Sequence, residues 1–236
     1  MSRASLRRCE IVGSLLPERV TSLLDIGSGN LSPLYPFLHR ADSIVCVDWN
    51  LRVEGEKPAN IEVMEEDFLD LDFHGRRFQA IVCADVFEHI LLEKENVFAW
   101  RCVELLEPGG VLVLSTPHLG AYAWLDPYQV KPAVHRFLAR FGLYQGPHNG
   151  SCDIRKGHKH YSADELVTQF APLEPIDFRR WGRFYDPLSS WADAIHRKLG
   201  VAPWRSWIYR RLEEEYGTEP QEEAFNIAIK FCKKVL

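Results

Sequence analysis

Leu23-Leu24-Asp25-Ile26-Gly27-Ser28-Gly29-Asn30 is the stretch that decides the fold. The apolar residues before Gly27 predict a buried strand, and the two glycines predict a tight turn that leads towards a helix. Glycine adopts positive φ and lets a ligand approach the backbone where a Cβ would obstruct it. A third glycine is missing, because Ser32 stands where the dinucleotide fingerprint GxGxxG requires one. By itself the pattern is equally typical of an ordinary turn from strand to helix.

Apolar runs alternate with helical patterns through the rest of the chain. This alternation is typical of a parallel sheet that is covered by helices on both faces. Strands buried on both faces are apolar almost without interruption. The predicted strands cover residues 20–26, 43–48, 60–64, 78–84, 110–115, 176–181 and 225–231. We therefore expect an α/β fold, doubly wound around a mainly parallel sheet.

Helical patterns separate and follow these strands. An apolar stripe near helical period predicts one helix, and the stripe consists of Val97, Trp100, Val103 and Leu106. The run Pro108-Gly109-Gly110 is expected to end that helix. A capping box predicts a helix start at Ser162. Further helices are predicted near the N-terminus, over residues 134–141, and as a pair inserted at about 187–217.

The composition is that of an ordinary globular protein. The chain has 236 residues, of which 46% are hydrophobic and 26% charged, and its net charge is -5. A domain that binds nucleic acid through phosphate contacts is usually basic, so nucleic acid is not an expected partner. The sequence shows no apolar run long enough to span a bilayer, and we expect its N-terminal segment to form a helix and not a signal peptide. The six cysteines form no CxxC pair, which favours a reducing compartment and a cytoplasmic location.

Acidic residues follow the second and third predicted strands. Asp48 lies about 20 residues beyond the glycines, where an acid can bind two ribose hydroxyls. Trp49 comes next and can lie against an adenine ring. Asp67 can accept a hydrogen bond from an adenine amino group, while the backbone N–H of Phe68 donates to the ring. The carboxyl ends of parallel strands meet at one edge of the sheet, so these residues are expected to line one crevice.

Several segments taken together resemble a known family. LLDIGSGN, VDWN, EEDF, FQAIVCADVFEHI and LLEPGGVLVLSTP are similar to segments of the class I S-adenosylmethionine-dependent methyltransferases. The similarity is greatest to the type 11 group, which includes the ubiquinone-biosynthetic O-methyltransferases, and it spans residues 20 to 120. The resemblance implies a seven-stranded sheet whose last strand is antiparallel. It also implies S-adenosyl-L-methionine as cofactor.

The resemblance places the cofactor along the edge of the sheet. An acid at position 25 suits a ligand that carries an ammonium and a sulfonium group. The family often has Asn where His118 stands in this chain. The expected cofactor contacts are Asp25, Gly27, Ser28, Gly29, Asn30, Asp48, Trp49, Asp67, Phe68, Ala84, Asp85 and Val86.

We expect one domain over residues 1–236. Residues 1–119 are expected to form the cofactor-binding half, and residues 120–220 to contribute acceptor and lid elements. The resemblance implies methyl transfer to a small-molecule or lipid- or glycan-linked acceptor, with oxygen favoured as the acceptor atom. The identity of the acceptor and the oligomeric state are not encoded in a motif that we recognise.

Methyl transfer to a hydroxyl requires alignment and the removal of one proton, and histidine is the usual base near neutral pH. The candidate catalytic residues are His89, His118 and His158. His118 is expected to face the acceptor pocket. A structural role is the alternative for each of them. We predict no metal site, because the spacing of His148, Cys152, Asp153, His158 and His160 matches no zinc pattern.

Three other functions are alternatives to methyl transfer to a small molecule. A nicotinamide-dependent oxidoreductase or epimerase also requires a glycine turn and an acid after the second strand, but the third glycine is missing. Nucleic-acid methylation is disfavoured, because no Pro-Pro-aromatic run follows the fourth strand. A catalytically silent scaffold that binds the cofactor remains open.

The second half of the chain mixes aromatic residues with arginines over 179–185 and 204–211. Such a mixture can contact a membrane surface or an anionic, lipid-linked acceptor. It also occurs where cationic side chains extend over an apolar core. The second interpretation is favoured, and peripheral membrane contact through residues 179–211 is kept as the alternative.

Overall fold

A computed structural model describes residues 3–29, 39–51, 57–127, 140–141, 159–200, 204–218 and 222–235. All seven predicted strands are present in it. Their bounds are β1 Val20–Ile26, β2 Ala41–Val47, β3 Ile61–Met64, β4 Phe78–Ala84, β5 Leu106–Pro117, β6 Leu173–Trp181 and β7 Asn226–Lys233. The helix predicted over 134–141 lies almost entirely outside the described residues.

The seven strands form one sheet in the order β3-β2-β1-β4-β5-β7-β6. β1 pairs in parallel with both β2 and β4, and β7 is antiparallel to both of its neighbours. The mainly parallel sheet with an antiparallel last strand is therefore confirmed. The strand order reverses between β1 and β4, and ligands of open α/β sheets bind beside the carboxyl ends of the strands at such a point.

Five α-helices cover the described sheet. Their bounds are α1 Arg3–Leu15, α2 Glu95–Leu105, α3 Ala163–Gln169, α4 Tyr185–Leu199 and α5 Arg205–Tyr216. The capping box is confirmed, since the Ser162 hydroxyl accepts from Glu165 N–H and the Glu165 carboxylate accepts from Ser162 N–H. The inserted helix pair is also confirmed as α4 and α5. None of the described helices is both long and apolar enough to cross a membrane.

Successive strand residues enter two separate cores. Leu23 and Leu24 are both buried, yet they belong to the apolar clusters on opposite faces of the sheet. α1 covers one face, where Val12 belongs to the same cluster as Leu23. α2 covers the other face, where Phe98 belongs to the same cluster as Leu24. This double burial explains why the strands are apolar without alternation.

The apolar stripe that predicted α2 is only partly buried, since Val103 and Leu106 are buried but its other two residues are not. Val97 and Trp100 are 56% and 60% exposed, whereas Phe98 and Cys102 are fully buried. The sequence is apolar on two adjacent faces of this helix, and periodicity cannot choose between them. The ring of Phe98 lies 5.0 Å from the Phe68 ring, so packing against aromatic residues decides the face.

The end of α2 also differs from the prediction. The helix stops at Leu105, and Leu106 already pairs with Phe78 as the first residue of β5. The Pro-Gly-Gly run lies inside β5, where the pairing with β4 shifts register between Phe78 and Ala80. The run therefore makes an irregularity in a strand and does not end the helix.

We expect Phe98→Ala and Trp100→Ala, two truncations on the same helix, to differ sharply in stability. Phe98 packs between the Phe68 and Phe87 rings, so its loss leaves a cavity and lowers the free energy of unfolding by about 3–5 kcal/mol. Trp100 is exposed, and its loss should change that free energy by about 0.5 kcal/mol or less. Urea unfolding followed by circular dichroism measures both. Equal destabilisation by the two variants would contradict this packing of α2.

Candidate active site

The glycine turn after β1 is held against two other strand ends. The N–H groups of Gly27 and Ser28 donate to the carbonyl of Val47 at 2.8 and 3.3 Å. Gly27 has a φ of 76°, and a Cβ at this position would overlap Cγ2 of Val86. The turn therefore requires a residue without a side chain, both for its conformation and for the close approach of the segment that follows β4.

Asp25 is a buried acid directly before this turn. It is 3% exposed, and its Oδ2 atom has no hydrogen-bond partner among the described residues. Burial raises the pKa of Asp25 to about 7, and the nearby carboxylate of Asp48 adds to the rise. A buried carboxyl without a counter-charge is costly, so this position favours a ligand that brings a positive charge.

Asp48 joins the ends of β1 and β2. Its Oδ2 accepts from the N–H of Gly29 at 2.9 Å, and its Oδ1 accepts from the N–H of Asn50 at 2.8 Å. Each carboxylate oxygen can accept a further hydrogen bond. Trp49 is 61% exposed beside this carboxylate, so its ring is accessible to a flat partner. These positions are compatible with the predicted contacts to ribose and adenine.

The third predicted acid lies at the same edge of the sheet. Asp67 is exposed after β3, and its Oδ1 accepts from the N–H of Leu69 at 2.9 Å. The side chain of Phe68 is buried in the core, so only its backbone is placed to meet a ligand. Asp25, Asp48 and Asp67 thus follow or end adjacent parallel strands. Asn30, the remaining predicted contact of the glycine turn, lies outside the described residues.

The segment after β4 is strained at Asp85. This residue has a φ of 53°, its N–H donates to the carbonyl of Ser115 at 2.9 Å, and its Oδ1 accepts from the Ser115 hydroxyl at 3.1 Å. Arg8 of α1 forms an ion pair with the same carboxylate. Backbone strain of this kind is common at functional sites. Ala84 and Val86, the other predicted contacts of this segment, are half-buried on either side of Asp85.

A cavity of about 330 Å³ opens beside this segment. Its volume is at the lower end of the range for small-molecule sites. Trp181 and Phe225 form an apolar part of its wall. The ionisable residues in the wall are Arg8, Asp85, Glu88, His89, Asp126 and Asp186. We call this space the acidic cavity, because four of those six side chains are carboxyls.

Glu88 is the most deeply buried of these acids. It has no exposed surface, its Oε2 accepts from the Thr116 hydroxyl at 3.3 Å, and its Oε1 has no hydrogen-bond partner among the described residues. Burial raises the pKa of Glu88 to about 8. Glu88 and His89 belong to the segment FQAIVCADVFEHI, which resembles the methyltransferase family. Nothing in the sequence indicated that the Glu88 carboxyl is buried.

The two described candidate bases are placed differently. His89 lies in a short 3-10 turn, Phe87–His89, and contributes to the wall of the acidic cavity. His118 does not line that cavity: it is 1% exposed, and its Nδ1 lies 3.1 Å from the carbonyl of Ala224. A carbonyl only accepts, so this contact places a proton on Nδ1. Burial lowers the pKa of His118. The structure therefore does not support the expectation that His118 faces the acceptor pocket.

His160 has a structural role in the loop before α3. Its Nδ1 lies 2.9 Å from the carbonyl oxygen of His118, and its Nε2 lies 2.9 Å from Oδ2 of Asp126. The ring thereby holds Asp126 at the wall of the acidic cavity. His158, the third candidate base, lies outside the described residues. So do His148, Cys152 and Asp153, and within the described residues no group of three or more His, Cys, Asp or Glu is arranged to hold a metal.

Sequence reasoning missed Arg8, Asp126 and Asp186 as site residues. They lie more than fifty residues from one another along the chain and meet only when α1 and α4 pack over the sheet. In the sequence, the cluster of arginines near the N-terminus was the only indication of a role for Arg8. Asp186 is 4% exposed and accepts from the Tyr216 hydroxyl at 2.7 Å, and burial raises its pKa to about 6.

Comparisons with known proteins agree with this geometry. Residues 24–114 match a protein family described as methyltransferase domain. A ubiquinone biosynthesis O-methyltransferase of Dinoroseobacter shibae is 25% identical over 197 residues, which cover 78% of this chain and 72% of the relative. A second protein of that description, from Cereibacter sphaeroides, is 27% identical over 194 residues, or 75% and 69% of the two chains.

The fold is shared with a solved structure that holds the demethylated cofactor. The N-methyltransferase NodS from Bradyrhizobium japonicum, in complex with S-adenosyl-L-homocysteine, superposes with a TM-score of 0.55 at 12% identity, covering 98% of this chain and 88% of NodS. Identity at this level shows the fold alone. The oxidoreductase alternative gains no support from these comparisons.

The buried carboxyl of Glu88 predicts a specific pH dependence of stability. Its pKa is about 8 in the folded chain against 4.5 for an ordinary glutamate, so only the folded state keeps the proton between these values. The free energy of unfolding should therefore fall as the pH rises through this window. Glu88→Gln removes the ionisation, and we expect it to be more stable than the wild type by roughly 2–4 kcal/mol at pH 9.

Urea unfolding of both proteins from pH 4 to pH 9 measures this difference. Glu62→Gln, at a half-exposed carboxylate that pairs with Arg76, is the control and should follow the wild-type profile. Parallel profiles for wild type and Glu88→Gln would show that Glu88 is ionised at neutral pH.

Proposed function

Because this chain belongs to the class I S-adenosylmethionine-dependent methyltransferases, we propose that it methylates a hydroxyl oxygen of a small molecule bound in the acidic cavity. The observation that carries the proposal is the edge of the sheet from Asp25 to Val86. There a glycine cradle, a buried unpaired carboxylate oxygen and a second carboxylate occur together. The similarity to O-methyltransferases of ubiquinone biosynthesis supports oxygen as the acceptor atom.

The residues at this edge fit the cofactor. Asp25 suits the ammonium group of its amino-acid end, since the buried Oδ2 has no described partner. Gly27 lets Val86 pack against the turn, and Gly29 has open space where a Cβ would lie. Asp48 keeps capacity to accept from two ribose hydroxyls. When bound, S-adenosyl-L-methionine supplies a methyl carbon on a positively charged sulfur, which leaves as a neutral thioether once the acceptor oxygen is methylated.

The acidic cavity lies next to this edge, because Asp85 belongs to its wall and Val86 touches the glycine turn. The protein aligns the acceptor there and keeps water out, and apolar side chains such as Trp181 and Phe225 serve both purposes. The acceptor hydroxyl loses its proton as it gains the methyl group. His89 is the imidazole on the cavity wall, and we assign it as the general base that takes this proton.

Membrane contact through residues 179–211 remains a prediction. An aromatic series, Tyr122-Phe184-Tyr185-Trp207, has ring centroids 5.3 to 5.7 Å apart and leads towards the surface. Five of the seven arginines of this region form salt bridges with acids, however, which weakens attraction to an anionic surface. The salt bridges are Arg179–Asp177, Arg180–Glu222, Arg183–Glu223, Arg205–Asp193 and Arg211–Glu214. A lipid- or glycan-linked acceptor and a cytoplasmic location likewise remain predictions.

Gly27→Ala should abolish cofactor binding, because its Cβ displaces Val86 from the edge of the site. Calorimetric titration with S-adenosylhomocysteine is expected to show a loss of at least about 100-fold in affinity. Gly75→Ala is the matched control, since Gly75 has a φ of 78° and open space where its Cβ would lie. Adding Val86→Ala to Gly27→Ala removes the clashing Cγ2 and should restore part of the affinity. Unchanged affinity in Gly27→Ala would contradict the assigned site.

His89→Gln should lower the turnover number by about 100-fold or more while the affinity for S-adenosylhomocysteine stays within about threefold. The assay measures S-adenosylhomocysteine formation by mass spectrometry with a panel of hydroxylated aromatic and sugar acceptors. His196→Gln, an exposed change on α4, is the control and should keep wild-type turnover. Full activity in His89→Gln would remove His89 from the mechanism, and a wild type that does not bind S-adenosylhomocysteine would overturn the proposed function.

A further inference from the structure

The charges in the wall of the acidic cavity do not balance. The carboxylate of Asp85 pairs with the guanidinium of Arg8, and that of Asp126 contacts the His160 ring at 2.9 Å. Glu88 and Asp186 form no salt bridge within the described part of the chain. The unliganded cavity therefore has an excess of carboxyl groups over cations.

The two remaining acids are not equivalent. Asp186 accepts from the Tyr216 hydroxyl at 2.7 Å, so its carboxylate has a short neutral donor. Glu88 has the longer contact of 3.3 Å with the Thr116 hydroxyl and an interaction with its own backbone N–H, and its Oε1 is buried without any described donor. An unsatisfied buried carboxyl destabilises a protein, so its presence in a ligand cavity points to a donor that arrives with the ligand.

We propose that the acceptor carries a protonated amino group, separate from the hydroxyl that is methylated, and that Glu88 binds this group. The inference rests on the proposed function, because it concerns the acceptor of the same site. A hydroxyl alone would satisfy Oε1 but would bring no cation to match the excess of carboxyl groups. An ammonium group does both, since it donates hydrogen bonds and brings a positive charge. Trp181 and Phe225 then contact the apolar part of the molecule.

The protonation of Glu88 supplies an independent sign of this contact. Burial raises its pKa to about 8, so the free protein holds a proton there at pH 7. Arg8 on α1 favours the ionised form, Asp126 favours the protonated form, and the Thr116 hydroxyl on β5 donates to the carboxylate. Asp85 and His89 are its neighbours in the chain, and Cys83 and Tyr161 also interact with it electrostatically. A bound ammonium lowers the pKa of Glu88 and expels its proton into the buffer.

The test is calorimetry at pH 7 on protein saturated with S-adenosylhomocysteine, in the presence of EDTA so that divalent cations do not occupy the carboxyls. The probes are benzylamine, benzyl alcohol and benzoate, which share a phenyl ring and carry an ammonium, a neutral hydroxyl and a carboxylate group, respectively. We expect benzylamine to bind with a dissociation constant on the order of 1 mM or below, and the other two to bind at least about tenfold more weakly.

Glu88→Gln should remove the preference for the amine, and Glu62→Gln should preserve it. A second measurement uses the wild type alone: the binding heat of benzylamine should depend on the ionisation enthalpy of the buffer, as proton release requires. The inference is overturned if benzylamine does not bind, if benzyl alcohol or benzoate binds equally well, or if binding releases no proton. Retained binding of S-adenosylhomocysteine in the same samples separates these outcomes from failure of the proposed function.

Discussion

The close contact between Gly27 and Val86 is the constraint on which the site depends. It brings the turn after β1 against the turn after β4, at the point where the strand order of the sheet reverses. With this contact in place, the turn whose Gly29 donates to Asp48 lies against Val86, and Asp85, the neighbour of Val86, belongs to the wall of the acidic cavity. A single Cβ at position 27 would separate the two halves of the site. The requirement for glycine is thus a packing requirement as much as a conformational one.

Two buried carboxyl groups that destabilise the free protein lie near this contact. Asp25 and Glu88 are both buried, both have an oxygen without a described partner, and burial raises the pKa of both. Two hydrophobic side chains would make the free protein more stable at these positions. Buried carboxyls that destabilise the free protein are expected where the ligand is cationic. Binding of such a ligand then raises the free energy of unfolding. The two acids are therefore better explained by binding than by folding.

The strands, their order along the chain and the glycine turn followed from the sequence, because strands buried on both faces leave a continuous apolar signal. The buried face of α2 did not follow, since Val97 and Trp100 are as apolar as Phe98 and Cys102, and only tertiary packing separates them. The cofactor edge was predictable because its residues stand at the ends of consecutive strands. The acidic cavity was not, because it is built from residues that α1, the segment after β5 and α4 bring together from distant positions. The surroundings of His118 were not predictable for the same reason: it lies after β5, but the carbonyl of Ala224, which contacts its ring, lies more than a hundred residues away in the chain.

A crystal structure with S-adenosylhomocysteine bound tests the central claim most directly. The ribose hydroxyls should lie within hydrogen-bond distance of the Asp48 carboxylate, the amino group should contact Asp25, and the sulfur should face the acidic cavity beside His89. A ligand bound away from Gly27, or one whose sulfur faces away from that cavity, would contradict the placement of both cofactor and acceptor.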